Sequence, residues 1–457
     1  MDIKEKQEKL RKQASGSIVY ERLKKKMSQS ELAEKVGTQR SNISRIESGE
    51  QNISLDLYAK IQYALGNDVS LELREESLSY FENEIYSLKL YDEELLRFSL
   101  KRGIGLEAKI ISVNEERKYL LPSDLKLTSE GLFKWLDRRI IPSNREFVGE
   151  ILSSMRLERG DVKGIIDVCK GLSLNDSYWV VPVDSDLKFD KYNLYENDFA
   201  EILALVAYTG RPYSNNKLVS SPEFTTNGVL RKAWRKIDGS IWLYKGGTQD
   251  FANAGNEPFC EFYACQIAEA MGLNAVHYEL DSWKGITASK CLIFTDKDTS
   301  YVPVGKLVNR GGIEACIKYY KRLGDSFYDD LCSMLVFDYI VLNEDRHFGN
   351  FGLLRDNHTG KYVATAPVFD NGNSLLCYAM DSDFFDAEGY IAGRSVPYGI
   401  SFEELLKLVC GPKQKAQARN LINFKFKESD KYNLPQKRLR LLEEIIQDRV
   451  KKVLTIK

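Results

Sequence analysis

The sequence predicts an α+β protein: an all-α head at the N-terminus, followed by a two-lobed body with a mixed α/β first lobe and a mostly helical second lobe. Three observations predict this class. Apolar residues recur at three- and four-residue spacing between residues 17 and 67, which indicates short helices. Strand-like apolar runs flank a helical pattern between residues 225 and 310. Helical spacing returns in residues 402–409, 414–424 and 437–454 and indicates a helical second lobe.

The length of 457 residues is too great for one ordinary core, so we expect two or three domains. The net charge of −1 hides an uneven distribution, because residues 1–66 hold thirteen Lys and Arg against nine Asp and Glu, an excess of +4. A basic head on an acidic body is typical of a nucleic-acid-binding module joined to another domain. The expected regions are the head (17–67), a helical linker (68–100), a mixed α/β region of unclear role (101–224), the first lobe (225–310) and the second lobe (311–457).

The eight cysteines form no C-x-x-C pair, and most of them lie inside apolar runs. This pattern favours reduced, buried thiols over the alternative, a zinc site. No apolar run approaches the length needed to cross a bilayer, and the charged stretch MDIKEKQEKLRKQ at the N-terminus lacks the apolar core of a signal peptide. We therefore expect a cytoplasmic protein with no membrane partner.

The head carries start and stop signals for its helices. Ser28 and Glu31 have the spacing of a capping box, in which each side chain satisfies a free backbone amide at a helix start. Gly37 is expected to end that helix, and Thr38 is expected to cap the next one. Gly66 is expected to close the last short helix of the head.

The stretch SQSELAEKVGTQRSNISRIESG resembles the Cro/C1-type (XRE) helix-turn-helix family. The resemblance implies that the helix starting at Thr38 enters the major groove of operator DNA, where amide side chains suit adenine and guanidinium suits guanine. Gln29, at the start of the preceding helix, is expected to anchor a phosphate. The expected DNA-binding residues are Gln29, Thr38, Gln39, Arg40, Ser41, Asn42 and Arg45. Such proteins usually act as dimers, which predicts a homodimer on DNA; the alternative is a helical cap that binds nothing.

Residues 101–224 show mixed strand-like and helical pieces and no catalytic constellation. The cluster SLNDSYW at residues 173–179 is their most distinctive feature. We interpret it as a turn, in which Asn and Asp bond to their own backbone while Tyr and Trp pack below. A binding loop is the alternative interpretation.

A lysine and a glutamate in the first lobe have the arrangement that binds nucleotide phosphates. Lys245 ends the strand-like run SIWLYK, and Glu261 opens the helical pattern EFYACQIAEAMGLN sixteen residues later. Kinases pair a strand lysine with a helix glutamate to hold the α- and β-phosphates, because the glutamate fixes the flexible lysine stem. A surface lysine at a strand end is the alternative for Lys245 taken alone.

Two further pieces of the first lobe complete a nucleotide cradle. The loop TTNGVLRK contains Thr226 and Gly228 and is expected to close over the phosphates through its backbone amides. Phe294, in the apolar run CLIF, is expected where kinases place the segment that contacts adenine. The expected nucleotide-binding residues are therefore Lys245, Glu261, Gly228, Thr226 and Phe294.

Residues 338–370 hold the third element of the site. Asp345 is followed five residues later by Asn350, and Asp370 comes directly after the short apolar segment APVF. Two carboxylates and one carboxamide in this order suit phosphoryl transfer. One carboxylate accepts the proton of an acceptor hydroxyl, while the amide oxygen and the other carboxylate hold Mg²⁺.

The motif N-x-D-R-H-x-x-N-F-G starts at Asn343 and is followed by a proline and by Phe369 and Asp370. It resembles the HipA-type serine/threonine kinases of bacterial toxin–antitoxin systems, which implies ATP and Mg²⁺ as cofactors. The roles implied by the resemblance are catalytic base for Asp345, Mg²⁺ ligands for Asn350 and Asp370, and ATP contact for Lys245. The resemblance also implies a protein substrate with a Ser or Thr acceptor and an antitoxin chain as a partner.

The chain departs from that family in three ways. Residues 70–220 show no pattern of the family's usual N-terminal subdomain. Family members phosphorylate a hydroxyl of their own phosphate loop, usually a serine, and Thr225 or Thr226 takes that position here. The DNA-binding partner of the family is normally a separate chain, whereas here it is fused to the body. The fused form suits a protein that regulates its own operon, or one that has lost toxicity.

Two other functions stay open at this point. One is a transcription regulator whose kinase fold serves as a nucleotide sensor. The other is a small-molecule phosphotransferase of the aminoglycoside or choline type, which shares the Asp-x4-Asn spacing. That group usually has a histidine two residues before the aspartate, where this chain has Asn343.

Overall fold

The computed structural model describes residues 3–67, 84–102, 106–155, 157, 159–211, 221–249 and 254–456. The chain divides into two compact units, which we call the head (Met1–Asn83 with Lys101–Glu107) and the body (Glu84–Leu100 with Ala108–Lys457). The predicted class is confirmed, because helices alone form residues 3–67 while the body combines sheets and helices. Among the described residues, no helix is both long enough and apolar enough to span a membrane.

Helices α1 (Ile3–Lys24), α2 (Gln29–Val36), α3 (Arg40–Glu47) and α4 (Leu55–Ala64) build the described N-terminal part of the head. They enclose a small aliphatic core whose members have the spacing expected of helices that bury one face. This core contains Ile18, Leu32, Ala33, Ile43, Ile46, Ile61 and Leu65.

The helix signals of the head are confirmed with one exception. Ser28 Oγ accepts from the Glu31 amide at 3.2 Å, and Glu31 Oε2 accepts from the Ser28 amide at 2.6 Å, which is the predicted capping box. Gly37 ends α2 with φ of +73°, a left-handed conformation that glycine adopts without steric cost. The predicted cap at Thr38 is wrong by one residue, because Gln39 still has an extended backbone (φ −87°, ψ 149°) and is the N-cap of α3.

The body begins with strands where the sequence predicted a helical linker. Residues 68–83 of that linker lie outside the described residues, but 84–100 belong to β1 (Glu84–Leu90) and β2 (Glu93–Arg102), so the prediction is wrong there. Tyr86, Leu88 and Leu90 are buried at every second position of β1. This period of two is typical of a strand, and the acidic residues that precede it concealed the pattern.

A four-stranded sheet follows, with β3 (Leu106–Val113) and β4 (Tyr178–Pro182) in the order β3-β2-β1-β4. In this sheet β1 pairs with β4 in the antiparallel direction, and Tyr86 lies opposite Pro182. The helices near this sheet in the chain are α5 (Ser129–Asp137), α6 (Val148–Ser154), α7 (Val162–Cys169) and α8 (Glu201–Thr209).

A second sheet carries Lys245. Its strands are β5 (Lys232–Ile237), β6 (Ser240–Gly246), β7 (Tyr278–Trp283) and β8 (Ile286–Leu292), in the antiparallel order β5-β6-β8-β7, and α9 (Glu257–Ala270) lies between β6 and β7 in the chain. The pairs Asp238-Gly239 and Lys284-Gly285 close its two hairpins with positive φ at each residue. Turns of this kind match the twist of the flanking strands and fix the register of each hairpin.

The second lobe is mostly helical, as predicted, and two of its strands join a strand from the end of the first lobe in a small sheet that the sequence did not indicate. The sheet has the order β11-β10-β9, from β9 (Thr299–Pro303), β10 (Gly352–Asp356) and β11 (Tyr362–Thr365). The helices are α10 (Gly312–Leu323), α11 (Asp325–Val341), α12 (Ala387–Ala392), α13 (Phe402–Val409), α14 (Pro412–Arg419) and α15 (Gln436–Thr455). Residues 331–341 of α11 are all buried, and Leu342 ends this helix with φ of +56°.

Replacing Leu335 by alanine is expected to destabilise the body by about 2–5 kcal/mol, because this side chain is fully buried in α11 and its loss leaves a cavity. Urea unfolding followed by tryptophan fluorescence measures the change. The tryptophans all lie in the body, at Trp135, Trp179, Trp234, Trp242 and Trp283.

Leu408→Ala is the matched control, since Leu408 on α13 is 46% exposed and its removal should change stability by less than about 0.5 kcal/mol. Equal losses in the two variants would contradict the burial of Leu335 in the core of the body.

Candidate functional site

Lys245 lies between two carboxylates from distant parts of the chain. Its Nζ is 2.6 Å from Glu261 Oε1 on α9 and 2.6 Å from Asp370 Oδ1. The second oxygen of Glu261 accepts from the Asn371 amide at 2.7 Å. Burial alone would lower the pKa of Lys245, but the charges of Asp370 and Glu261 raise it well above its usual value. The lysine is therefore a fixed cation at the end of β6.

Asp370 is held in an uncommon backbone conformation beside this lysine. Its φ is +57°, and its amide donates to the hydroxyl of Tyr278 at 3.2 Å. Burial would raise the pKa of the Asp370 carboxyl, but Lys245 and Lys232 hold it well below its usual range. Asp370 is therefore ionised and acts only as an acceptor, which suits contact with a cation.

The loop that follows α11 is organised by a buried ion pair. Asp338, in the last turns of α11, accepts from Arg346 Nε at 3.0 Å and from Arg346 Nη2 at 2.9 Å, and both side chains are excluded from solvent. Asp338 also accepts from Asn343 Nδ2 at 3.1 Å. Asn343 Oδ1 in turn accepts from the Asp345 amide at 3.0 Å, which fixes the backbone that carries the Asp345 carboxylate.

The same guanidinium connects this loop to the Asp370 segment. Arg346 Nη1 donates to the carbonyl oxygen of Asn350 at 3.2 Å and to the carbonyl oxygen of Phe369. Arg346 Nη2 donates to Asn371 Oδ1 at 2.6 Å. Phe369 and Asn371, on either side of Asp370, are thus hydrogen-bonded to the Arg346 guanidinium, which belongs to the loop that contains Asp345.

Asn350 and Asp370 supply oxygen atoms of the kind that Mg²⁺ prefers. Asn350 Nδ2 donates to the carbonyl oxygen of Asp345 at 3.0 Å, which leaves its Oδ1 as the atom available to a cation. The donor set of one carboxamide oxygen and one ionised carboxylate therefore fits Mg²⁺. Burial, together with the negative charge of Asp370, raises the pKa of Asp345 despite the opposing effect of His347.

His347 has a structural role in this loop. Its Nδ1 accepts from the Gly349 amide at 3.0 Å, and its own amide donates to the carbonyl oxygen of Asp345 at 2.7 Å. These bonds shape the turn between Asp345 and Asn350.

The other predicted nucleotide residues border the same region. The ring of Phe294 packs against Phe369 at 5.2 Å between centroids, directly before Asp370 in the chain. Thr226 Oγ1 accepts from Trp234 Nε1 at 3.1 Å and donates to the carbonyl oxygen of Pro222 at 2.7 Å, so it is engaged within its own loop. Gly228 has φ of +95°, a conformation that other residues rarely adopt.

The predicted DNA-binding residues of the head are concentrated along one helix. Gln39, Arg40, Ser41 and Arg45 are exposed at or within α3, while Asn42 is half-buried and donates from Nδ2 to Thr38 Oγ1 at 2.9 Å. Gln29 differs from this group. Its Nε2 donates to Glu47 Oε2 at 2.9 Å, and Glu47 also accepts from Arg22. The side chain of Gln29 is thus part of a polar network, and its place at the first residue of α2 agrees with the prediction.

Residues 18–71 match the protein family described as Helix-turn-helix. The head is a helix-turn-helix domain. This finding confirms the Cro/C1-type resemblance and places the exposed residues of α3 on the helix that follows the turn.

Part of the chain is similar in sequence to a known kinase. A segment of 145 residues is 28% identical to the serine/threonine-protein kinase CtkA of Helicobacter pylori, and the match covers 28% of this chain and 43% of that protein. The chain thus spans less than half the length of that curated relative. Among solved structures, a crystal structure of the Helicobacter pylori proinflammatory kinase CtkA matches with a TM-score of 0.39 and 16% identity, over 51% of this chain and 95% of that one.

A second solved structure is the complex of HipA, HipB and operator DNA from a toxin–antitoxin system of Shewanella oneidensis MR-1. It matches with a TM-score of 0.47 and 13% identity, over 81% of this chain and 100% of that chain. Residues 18–71 thus match a helix-turn-helix family, and a segment of 145 residues is similar in sequence to the serine/threonine-protein kinase CtkA.

Lys232 is a residue of this region that the sequence analysis did not select. It lies directly opposite Lys245 in the β5–β6 hairpin, and burial lowers its pKa to about 8. A Cβ at Gly228 would lie 2.1 Å from Lys232 Nζ, so the loop before β5 passes close to this amine. The signal was present in the sequence, since counting back from the Asp238-Gly239 turn places Lys232 opposite Lys245.

Part of the 101–224 region contacts the loop that contains Thr225 and the segment that contains Thr295. The carbonyl oxygen of Leu172 accepts from Thr225 Oγ1 at 2.9 Å, and that of Leu174 accepts from Thr295 Oγ1 at 2.6 Å. Nearby, Asp176 forms a buried two-point ion pair with Arg139, with both N–O distances at 2.8 Å. The Tyr178 amide donates to Asp176 Oδ1 at 3.1 Å, which confirms the interpretation of residues 173–179 as a turn.

Replacing Lys232 by methionine is expected to stabilise the ligand-free protein near pH 7 by about 1 kcal/mol, because it removes a cation that faces Lys245 across the hairpin. The pKa of Lys232 falls from 10.5 to about 8 on folding, so the unfolded chain binds more protons between these values. The native protein therefore gains stability as the pH rises through this range, and the advantage of the variant should shrink. Urea unfolding at several pH values measures both effects.

Lys236→Met provides the control for this prediction. Lys236 lies on the same strand, but its Nζ donates to the carbonyl oxygen of Glu196 at 2.9 Å, so its removal should lower stability. A loss of stability in the Lys232 variant near pH 7 would show that the attraction of Lys232 to Asp370 outweighs the cost of its burial and its repulsion from Lys245.

Proposed function

We propose that the body transfers the γ-phosphoryl group of ATP to a serine or threonine hydroxyl of a protein. The observation that carries this proposal is the direct contact of Lys245 with both Glu261 and Asp370, in a site that Arg346 joins to Asp345 and Asn350. A strand lysine, a helix glutamate and a metal-binding aspartate meet in this way in kinases. The similarity to part of a serine/threonine kinase supports the choice of acceptor.

Each residue has a role that follows from its contacts. Lys245 and Lys232 attract the phosphates from adjacent positions on β6 and β5, and the loop at Gly228 passes over them. Asn350 and Asp370 would hold Mg²⁺, which neutralises charge on the phosphate oxygens when bound. Asp345 accepts the proton of the acceptor hydroxyl, and the raised pKa of its carboxyl makes it a better proton acceptor than an exposed aspartate.

The hydroxyls of Thr225 and Thr226 both donate to carbonyl oxygens within the protein. For either threonine to accept phosphate, the loop must release it first. Self-phosphorylation at this loop, an antitoxin partner and a toxin role rest on the HipA-type resemblance and stay predictions. Nucleotide and DNA as ligands support a cytoplasmic location.

Asp345→Asn is expected to lower phosphate transfer by about 10²- to 10⁴-fold, because asparagine cannot accept the hydroxyl proton. Incubation of the full-length protein with labelled ATP and Mg²⁺, alone and with lysate proteins, measures the transfer. Asp186→Asn is the control, since Asp186 is an exposed carboxylate after β4 and its variant should label substrates normally.

Equal labelling by the Asp345 variant and the native protein would contradict the proposed base. Calorimetric binding of ATP by a native protein that transfers no phosphate would indicate a nucleotide sensor instead.

We propose that the helix-turn-helix domain binds operator DNA through α3, as a homodimer on paired half-sites. The exposed positions of Gln39, Arg40 and Arg45 support this, because amide and guanidinium groups on such a helix read base edges in the major groove. The local excess of positive charge in residues 1–66 favours contact with phosphates.

Arg40→Ala is expected to reduce the preference for the cognate sequence by about 1–3 kcal/mol, while the affinity of both proteins falls linearly with the logarithm of salt concentration. Fluorescence anisotropy with a DNA fragment from upstream of the protein's own gene measures both. Lys60→Ala on α4 is the control, since Lys60 is exposed away from α3 and should leave sequence preference intact. A domain that binds no DNA at low salt would overturn the proposal.

A further inference from the structure

We propose that Cys265, Glu269 and His277 form a binding site for a divalent transition-metal ion of the zinc class. Cys265 and Glu269 are four residues apart on α9 and therefore share one face of that helix. His277 lies just before β7, after the turn that leaves α9. One ligand atom from each residue lies within 4.8 Å of the other two, and the closest pair, His277 Nδ1 and Glu269 Oε1, is separated by 2.6 Å.

The chemistry of the three side chains selects the ion. A thiolate is a soft ligand that Zn²⁺ accepts and that Mg²⁺ and Ca²⁺ avoid, while imidazole and carboxylate complete a set that suits tetrahedral zinc. Three protein ligands leave a fourth position for water or another small ligand. This site is thus chemically distinct from the all-oxygen pair formed by Asn350 and Asp370.

Only small side-chain movements are needed on binding. The bond lengths of zinc place the ligand atoms of a tetrahedral site roughly 3.5 Å apart, so His277 Nδ1 and Glu269 Oε1, now separated by 2.6 Å, must open by about 1 Å. The remaining ligand-atom distances are at most 4.8 Å and need to close by little more than that. The side chains of Glu269 and His277 are 48% and 64% exposed, and they are free to make that movement. Cys265 provides the fixed point, because it is 1% exposed within the body.

The thiol of Cys265 donates its proton to the backbone in the absence of metal. Its Sγ lies 3.1 Å from the carbonyl oxygen of Phe262 and 3.8 Å from that of Tyr278. Binding of the ion displaces that proton, forms the metal–sulfur bond and releases the proton to solvent.

The position of the site connects it to the nucleotide cradle. Glu261, which holds Lys245, lies one turn before Cys265 on α9. Tyr278, next to His277, accepts from the Asp370 amide through its hydroxyl at 3.2 Å. A bound ion would link α9 to the start of β7. It would thereby restrict the movement of Glu261, which contacts Lys245, and of Tyr278, which accepts from the Asp370 amide. The inference is independent of phosphate transfer, since it depends only on the three ligands.

Titration of the full-length, reduced protein with Co²⁺ tests the site, because cobalt replaces zinc in such sites and reports thiolate ligation by absorption. The expected result is one Co²⁺ per chain with a sulfur-to-cobalt charge-transfer band, lost on addition of Zn²⁺. Cys265→Ser should abolish that band, and His277→Ala should weaken Co²⁺ binding by at least about tenfold.

Two controls match the proposed ligands in type and surroundings. Cys316→Ser removes a buried thiol elsewhere in the body, and His358→Ala removes an exposed histidine that pairs with Asp298 at 2.9 Å. Both variants should retain the native cobalt spectrum. If Cys265→Ser does not fold, His277→Ala decides the question, because that side chain is largely exposed. Absence of the charge-transfer band in the native protein, or an unchanged spectrum and affinity in His277→Ala, would overturn the proposal.

Discussion

The buried pairing of Arg346 with Asp338 is the interaction on which the rest of the site depends. Removing two charges from water is costly, and the cost is repaid only when geometry and additional hydrogen bonds are good. Here the guanidinium reaches α11, the carbonyl oxygens of Asn350 and Phe369, and Asn371 Oδ1. One side chain thereby sets the position of the Asp345 loop relative to Asp370. The alignment of these segments is therefore determined by buried contacts.

Much of the site could be predicted from the sequence because its residues fall in short segments with strong local patterns. Lys245 ends an apolar run, Glu261 opens a helical pattern, and the loop at Asp345 follows another. The order of these residues in the chain therefore indicated phosphoryl transfer. In the structure, Lys245 is in direct contact with both Glu261 and Asp370. What the order could not show is the coupling through Arg346, since that residue reads as an ordinary surface cation until Asp338 is seen to be buried.

The features that the sequence did not predict have a different cause. The residue or strand that determines the structure is distant in the chain, or the local composition masks the pattern. The acidic composition of the stretch before β1 led to the interpretation of a helical linker. Strand β1 instead pairs with β4, which is remote in the chain. Lys232 is an exception, because the position of the Asp238-Gly239 turn already places it opposite Lys245. Cys265 and His277 have no recognised spacing, and only the fold brings them together. Local propensity is a weak guide wherever tertiary contacts decide the outcome.

The local hairpins of the Lys245 sheet have a consequence for the order of events during synthesis. Hairpins closed by two-residue turns form early, because little chain entropy is lost in joining neighbouring strands. Asp370, however, lies 125 residues after Lys245. At about 5–20 residues per second, the ribosome needs roughly 6–25 seconds to deliver it. During that interval Lys232 and Lys245 of the nascent chain lack the carboxylate of Asp370. Cellular polyanions, including nucleotides and the ribosomal RNA itself, can contact that exposed charge.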